Sequence, residues 1–115
     1  MPQQAPARAP ARPSLTAKLA RFFLEATPVR IPVHLTRVGG VGSPVAESTI
    51  IEFGTPHEVL FASSLPLEFA DKLRVRNSDG SLDAEAHVVA LRHGSGRTAV
   101  AARFSHHVTN WIVKP

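Results

Sequence analysis

Histidines are the side chains of this sequence that most readily suggest chemistry, because six of them occur in 115 residues that include no cysteine. The adjacent His106 and His107 are the obvious pair of metal ligands. Neighbouring side chains of an extended chain point to opposite faces, so this pair needs a third ligand from elsewhere. We predict no metal site, and the lack of cysteine excludes disulfides, thiolate zinc sites and a thiol nucleophile.

Catalytic and phosphate-binding motifs are also missing from the sequence. Serine, histidine and aspartate are scattered over predicted turns, without a nucleophile elbow or a repeated acidic motif. The run Gly39-Gly40-Val41-Gly42 lacks the lysine and the helix that complete a phosphate-binding loop, so a turn between strands explains it better. We expect a protein that is not an enzyme.

The N-terminal part of the chain has two predicted segments. Residues 1–13 contain four prolines among alanines and arginines, which favours a disordered, extended arm. Ser14 is a suitable N-cap for an amphipathic helix over 14–27, which ends before Pro28. The apolar face of this helix comprises Leu15, Leu19, Phe22, Phe23 and Ala26. Such a helix either packs on the protein's own barrel or docks on a membrane surface or a partner.

Residues 28–115 have the period-two alternation of β-strands, interrupted by glycine-rich turns. Pro32 cannot donate a ladder hydrogen bond, so the first strand should be an edge or begin with a break. The apolar tail Trp111-Ile112-Val113 is expected to cap an open end. The pattern predicts an all-β fold, a small six-stranded antiparallel β-barrel with an N-terminal helix. The predicted strands cover residues 31–36, 48–53, 59–62, 72–76, 84–91 and 97–104.

Charge is unevenly divided along the chain. Five basic residues and one acidic residue precede Ile31, whereas the eight basic and eight acidic residues after it cancel. The basic arm could bind nucleic acid in a salt-sensitive way that ignores sequence. The body has no tyrosine, one tryptophan and no interleaved aromatic and basic face, so we do not expect a nucleic-acid partner.

Targeting signals are not apparent. No apolar run approaches the about 18 residues that span a membrane, so no transmembrane segment is predicted. The N-terminus lacks the continuous apolar core of a secretory signal. We therefore expect a cytoplasmic protein.

Short motifs follow one another at a characteristic spacing through the predicted barrel. They are Arg30-Ile31-Pro32-Val33, Glu47-Ser48-Thr49-Ile50-Ile51, the run Leu65-Pro66-Leu67-Glu68-Phe69-Ala70-Asp71-Lys72-Leu73-Arg74-Val75, in which a strand is entered through an L-x-x-G-D-like corner, Ala84-Glu85-Ala86-His87-Val88-Val89, Val100-Ala101-Ala102-Arg103-Phe104 and Asn110-Trp111. In this order the sequence resembles the PilZ family, small six-stranded barrels known mainly as receptors for the bacterial second messenger cyclic di-GMP. The resemblance covers about residues 30–113.

The ligand signature of that family combines R-x-x-x-R before the first strand with D-x-S-x-x-G after the second. Arginine forks pair with phosphates and stack on guanine, while small polar side chains and a close glycine read the base edges. Where the second motif should fall, the run 53–58 reads Phe-Gly-Thr-Pro-His-Glu and keeps only the hydroxyl of Thr55. The run 79–84, Asp-Gly-Ser-Leu-Asp-Ala, imitates the motif in a hairpin, which we interpret as turn chemistry.

The first motif is also degraded. Arg8-Ala9-Pro10-Ala11-Arg12 matches it literally but lies before the predicted helix, in a tract where chance matches are easy. Near the strand, Arg30 is followed by His34 and then by Arg37. Losing one bidentate arginine–phosphate contact costs on the order of 1.5–3 kcal/mol.

The resemblance therefore implies a noncatalytic signalling or adaptor module, with cyclic di-GMP binding weak or lost. Arg30, Arg37 and Thr55 are the candidate ligand-binding residues, and cyclic di-GMP is the one ligand considered. A protein partner is expected, through the helix or an exposed strand edge. Two alternatives stay open: a functional cyclic di-GMP receptor, and a small-barrel nucleic-acid-binding protein that uses the basic arm.

Overall fold

Six antiparallel strands close into a barrel in the computed structural model of the protein, which describes residues 14–38, 45–108 and 111. The order around the barrel is β1-β2-β3-β6-β5-β4, so the predicted six-stranded barrel is confirmed. The elements are α1 Leu15–Ala20, β1 Thr27–Val38, β2 Ala46–Gly54, β3 Glu58–Ser63, β4 Lys72–Asn77, β5 Asp83–His93 and β6 Thr98–Phe104. No helix of the described residues is long and apolar enough to cross a membrane.

The core of the barrel follows from the alternation of side chains along each strand. In β4, Leu73 and Val75 are fully buried while Arg74 and its charged neighbours on the same face are exposed. The inward side chains of the other strands complete one apolar cluster, which includes Leu35, Ile51, Val59, Phe61, Val88 and Val100. The alternating apolar residues of the sequence thus point into the barrel, and the residues between them point outward.

The first strand has two neighbours only along its second half. It pairs with β2 from Thr27 to Thr36, but with β4 only from Val33 to Val38. Pro32 lies in the half that β4 does not reach, at a strand edge that no described strand pairs with on that side. This placement agrees with the prediction made from its missing N–H group. We call residues 27–32 the open edge of β1.

The helix is shorter than the predicted 14–27, ending at Ala20. The N–H of Ala17 donates to the Ser14 hydroxyl at 3.0 Å, so the predicted N-cap is present. Beyond Ala20 the amides of Phe22 and Phe23 each bond three residues back, to Leu19 and Ala20, which tightens the chain into turns. Strand pairing then begins at Thr27. The pairing of this residue with β2 outweighs the helical propensity of the segment.

The outer surface of the barrel carries α1. Leu19 and Ala20 are buried against Leu60 of β3 and against Ala99 and Ala101 of β6. The small alanine side chains let the helix approach the sheet closely, and they explain why β6 is apolar on both faces. Leu19 and Ala20 therefore pack on the protein's own barrel, as the first of the two interpretations of the helix proposed.

A sharp corner leads from β3 into β4. Ala70 has φ +74°, and it alone among the described non-glycine residues has positive φ. Its N–H donates to the carbonyl of Val88 at 2.9 Å, and the Val88 N–H donates back to the carbonyl of Asp71 at 2.9 Å. The corner is therefore held on β5 by two backbone hydrogen bonds. In the L-x-x-G-D-like motif this position is the glycine, the residue that adopts such a φ without strain.

The predicted arm at 1–13, including Arg8 and Arg12, and the predicted glycine turn at 39–42 lie outside the described residues.

Candidate functional site

Thr55, one of the three predicted ligand residues, lies in the turn between β2 and β3 and is 3% exposed. Its hydroxyl accepts the N–H groups of His57 and Glu58, at 3.0 and 2.8 Å, and donates to the Glu58 carboxylate. The Nε–H of Arg103 in turn donates to the other Glu58 oxygen at 2.8 Å, and the Nη2 of Arg103 lies 2.8 Å from that oxygen as an ion pair. The hydroxyl is thus fully engaged in a turn and presents nothing to a ligand.

Gly54 and the backbone carbonyl of Thr55 both contact Trp111. The Trp111 indole N–H donates to the Thr55 carbonyl at 3.0 Å, and its ring packs edge-on against Phe104 with centroids 5.4 Å apart. A Cβ placed on Gly54 would overlap that ring, so glycine is required here by the tryptophan. Trp111 closes this end of the barrel as expected, while Ile112 and Val113 lie outside the described residues.

Arg37, near the end of β1, shares the inward parity of Val33 and Leu35 and is half-buried. Its guanidinium donates to the carbonyl of Pro66 at 3.3 Å and lies 3.6 Å from the Asp71 carboxylate. Asp71 also accepts the Glu68 N–H at 2.8 Å. Arg37 therefore fastens the end of β1 to the corner that leads into β4.

Arg30 is exposed on the open edge of β1. Its neighbours Val29 and Ile31 pack against the core, which turns the Arg30 side chain outward. No ion pair of the described residues involves it. Arg37 lies seven positions further along the strand, which corresponds to roughly 23 Å at about 3.3 Å per residue. The two predicted arginines therefore do not converge on one ligand.

His34 lies on the outward face of β1, the same face as Arg30. One of its ring nitrogens is 3.4 Å from the Ser48 hydroxyl, and Arg76 is its cross-strand neighbour on β4. An open cavity of about 220 Å³ lies between these side chains. Small-molecule sites enclose about 300–1,000 Å³, so this cavity is too small for a dinucleotide.

A larger groove, of about 490 Å³, lies beside the turn that holds Thr55, and His57, Arg103, His106 and His107 line it. The arginine of this groove is already paired with Glu58. Within residues 14–38, 45–108 and 111, no three His, Asp or Glu side chains could hold a metal ion.

The run 79–84, which imitates a ligand motif, forms the predicted hairpin between β4 and β5. Gly80 has φ +79°, and the Asp79 carboxylate accepts the Ser81 N–H at 2.9 Å. That backbone hydrogen bond lowers the pKa of Asp79. The Asn77 side chain accepts the Leu82 N–H at 3.0 Å. Each of these contacts is a local hydrogen bond of the turn, as the interpretation as turn chemistry implies.

A polar cluster that the sequence did not indicate centres on Glu47 of β2. Its carboxylate accepts the hydroxyls of Ser63 and Ser64, each at 2.6 Å, and the Ser64 N–H at 3.0 Å. Burial alone would raise the pKa of Glu47, but these hydrogen bonds outweigh it and lower the pKa, with help from Arg97 at 3.9 Å. The partners lie 16 and 17 residues away in sequence. The cluster holds the end of β3 on β2.

The turn between α1 and β1 exposes two of the large hydrophobic side chains of the described residues. Phe22 is 73% exposed and Leu24 is 100% exposed, whereas Phe23 between them packs on the barrel. Lys18 and Arg21, next to this turn, are also exposed. We call Phe22 and Leu24 the exposed pair. The helix prediction placed Phe22 on the packed face, and the early end of α1 is what turned it outward.

No protein-family model matches the chain, and a search of curated proteins finds no match.

Proposed function

We propose that the protein is a noncatalytic, PilZ-like signalling or adaptor module in which cyclic di-GMP binding is weak or lost. The separation of the three candidate side chains carries this proposal. Thr55 is engaged in its turn, Arg37 is paired at the far end of β1, and Arg30 alone faces solvent. A ligand with two phosphates gains strong affinity only from cations that converge on it.

Two features support the relation to the PilZ scaffold. The first is the closed barrel of six antiparallel strands. The second is the corner before β4, where Ala70 stands at the glycine position of an L-x-x-G-D-like motif and has φ +74°. A backbone that demands a left-handed residue is a specific requirement, because few non-glycine residues adopt this conformation.

The open edge of β1 supports a protein partner for this module. Backbone groups of an unpaired strand can bind an extended segment of another chain. Pro28 and Pro32 bracket this edge and confine such pairing to the three residues between them, which include the exposed Arg30. We propose an extended, acidic protein segment as the partner there.

Calorimetric titration of the full chain with cyclic di-GMP tests the nucleotide part of this proposal. We expect no saturable heat at micromolar ligand, for wild type and for Arg30→Ala alike. Arg92→Ala is the matched control, since Arg92 is another exposed arginine outside every ion pair of the described chain. Micromolar or tighter binding that Arg30→Ala abolishes and Arg92→Ala preserves would overturn the proposal and establish a functional receptor.

A further inference from the structure

The exposed pair differs in its surroundings from Phe69, another exposed large hydrophobic side chain. Phe69, which is 71% exposed, stands in the corner before β4 between the acidic residues Glu68 and Asp71. Phe22 and Leu24 instead lie in one turn together, with the exposed Arg21 before them and the exposed Glu25 after them. Two large apolar side chains on a single turn, with a basic neighbour, thus form an exposed surface that the barrel itself does not cover.

In the described residues, two exposed basic side chains, Lys18 and Arg21, lie on the N-terminal side of the exposed pair, and the exposed Glu25 follows it. Glu25 is the first acidic residue of the sequence, and four basic residues precede it: Arg8, Arg12, Lys18 and Arg21. Neither Lys18 nor Arg21 takes part in an ion pair within the described part of the chain. The exposed pair therefore follows a stretch of sequence with four basic residues and no acidic one, and Lys18 and Arg21 are the basic residues nearest to it in sequence.

We propose that the turn at 21–24 docks the barrel on an anionic lipid surface. Phe22 and Leu24 enter the interfacial region, while Lys18 and Arg21 lie against the lipid phosphates. Stable membrane attachment of a peripheral protein takes two signals, and this segment supplies both an apolar one and a basic one. The charge complementarity favours anionic lipid as the occupant.

A protein occupant fits the same surface less well. A stable protein interface buries about 800 Å² on each partner, with an apolar centre that excludes charge. Around the exposed pair, Lys18, Arg21 and Glu25 are themselves exposed, so the apolar surface is confined to two protruding side chains. Shallow insertion into lipid needs no larger patch. This inference is independent of whether cyclic di-GMP binds.

Cosedimentation of the full chain with lipid vesicles tests the inference. We expect binding to vesicles of phosphatidylglycerol mixed with phosphatidylcholine, and little binding to phosphatidylcholine alone. The double variant Phe22→Ser/Leu24→Ser should bind the anionic vesicles at least about tenfold more weakly, because two apolar side chains no longer leave water. Phe69→Ser is the matched control, and its binding should equal that of wild type. Thermal unfolding of each variant checks that the barrel stays folded.

Several results would overturn the inference. The proposed recognition is contradicted if the wild-type protein does not bind anionic vesicles, or if it binds neutral vesicles equally well. Undiminished binding of the double variant would leave the basic residues as the sole attraction. A loss in Phe69→Ser as large as in the double variant would contradict the assignment to this turn. Absence of vesicle binding together with concentration-dependent dimerisation, abolished in the double variant, would assign the exposed pair to a second copy of the chain.

Discussion

The apolar side chains of the N-terminal segment fall into two groups with opposite surroundings. Leu19 and Phe23 pack on the outer face of the barrel, whereas Phe22 and Leu24 stand in solvent. A continuous helix would have kept Phe22 and Phe23 on one side, but α1 ends at Ala20 and the following turns separate them. The first group belongs to the folding core. The second group is exposed and is the one that we propose to bind lipid, so stability and binding should respond to different residues.

Substitution of Leu19 should give the largest effect that distinguishes the packed group from the exposed group. Leu19 is 4% exposed and lies against Leu60, Ala99 and Ala101. We expect Leu19→Ala to lower the free energy of unfolding by about 2–4 kcal/mol, since it removes buried methyl groups and leaves a cavity. Chemical denaturation measures the loss. Leu24→Ala is the control and should change stability by less than about 0.5 kcal/mol. Equal losses in the two variants would contradict the division of the segment.

Glu47 extends the comparison to a polar contact of the barrel that does not involve α1. Its carboxylate links β2 to the end of β3. Glu47→Gln should lower the free energy of unfolding by about 1–2 kcal/mol at neutral pH, since the charged acceptor of the Ser63 and Ser64 hydroxyls is lost. The measurement is again chemical denaturation, now repeated over a range of pH. Leu19→Ala serves as the apolar reference across that range.

The pH dependence should separate the contribution of Glu47 from that of Leu19. The pKa of Glu47 is lowered by folding, so the native state holds on to its proton less firmly than the unfolded chain does. Its contribution is complete above the usual value near 4.5 and disappears as the pH falls through the lower, folded value. The difference between wild type and Glu47→Gln should therefore shrink in acid, while the loss caused by Leu19→Ala persists. A constant Glu47→Gln difference down to low pH would refute the role given to its charge.

The strands were predictable from the sequence because their signals are local. Alternation in Lys72-Leu73-Arg74-Val75-Arg76 and the Asn77-Ser78-Asp79-Gly80 hairpin follow from the chemistry of neighbouring residues, and the structure has both. The end of α1 was not predictable in this way. Helical periodicity continues past Ala20, but the competing pairing of Thr27 with Gly54 comes from residues far away in sequence.

The candidate site was harder to predict than the fold. Thr55 was identified by its hydroxyl, yet the spacing Thr55-x-x-Glu58 resembles a capping box and could have indicated that the hydroxyl is used locally. The distance between Arg30 and Arg37 follows from their sharing one long strand, which the predicted strand at 31–36 was too short to reveal. Nothing local links Glu47 to Ser63 and Ser64, so only the folded barrel brings that cluster together.

The division between Phe22 and Phe23 is the most direct test of this account, because the two residues are adjacent and chemically identical. The measurement is the free energy of unfolding of Phe22→Ser and of Phe23→Ser by chemical denaturation. We predict a loss of about 1–2 kcal/mol for Phe23→Ser, whose ring leaves the barrel surface, and a change within about 0.5 kcal/mol for Phe22→Ser. Equal losses, or a larger loss for Phe22→Ser, would contradict the assignment of one ring to the core and the other to binding.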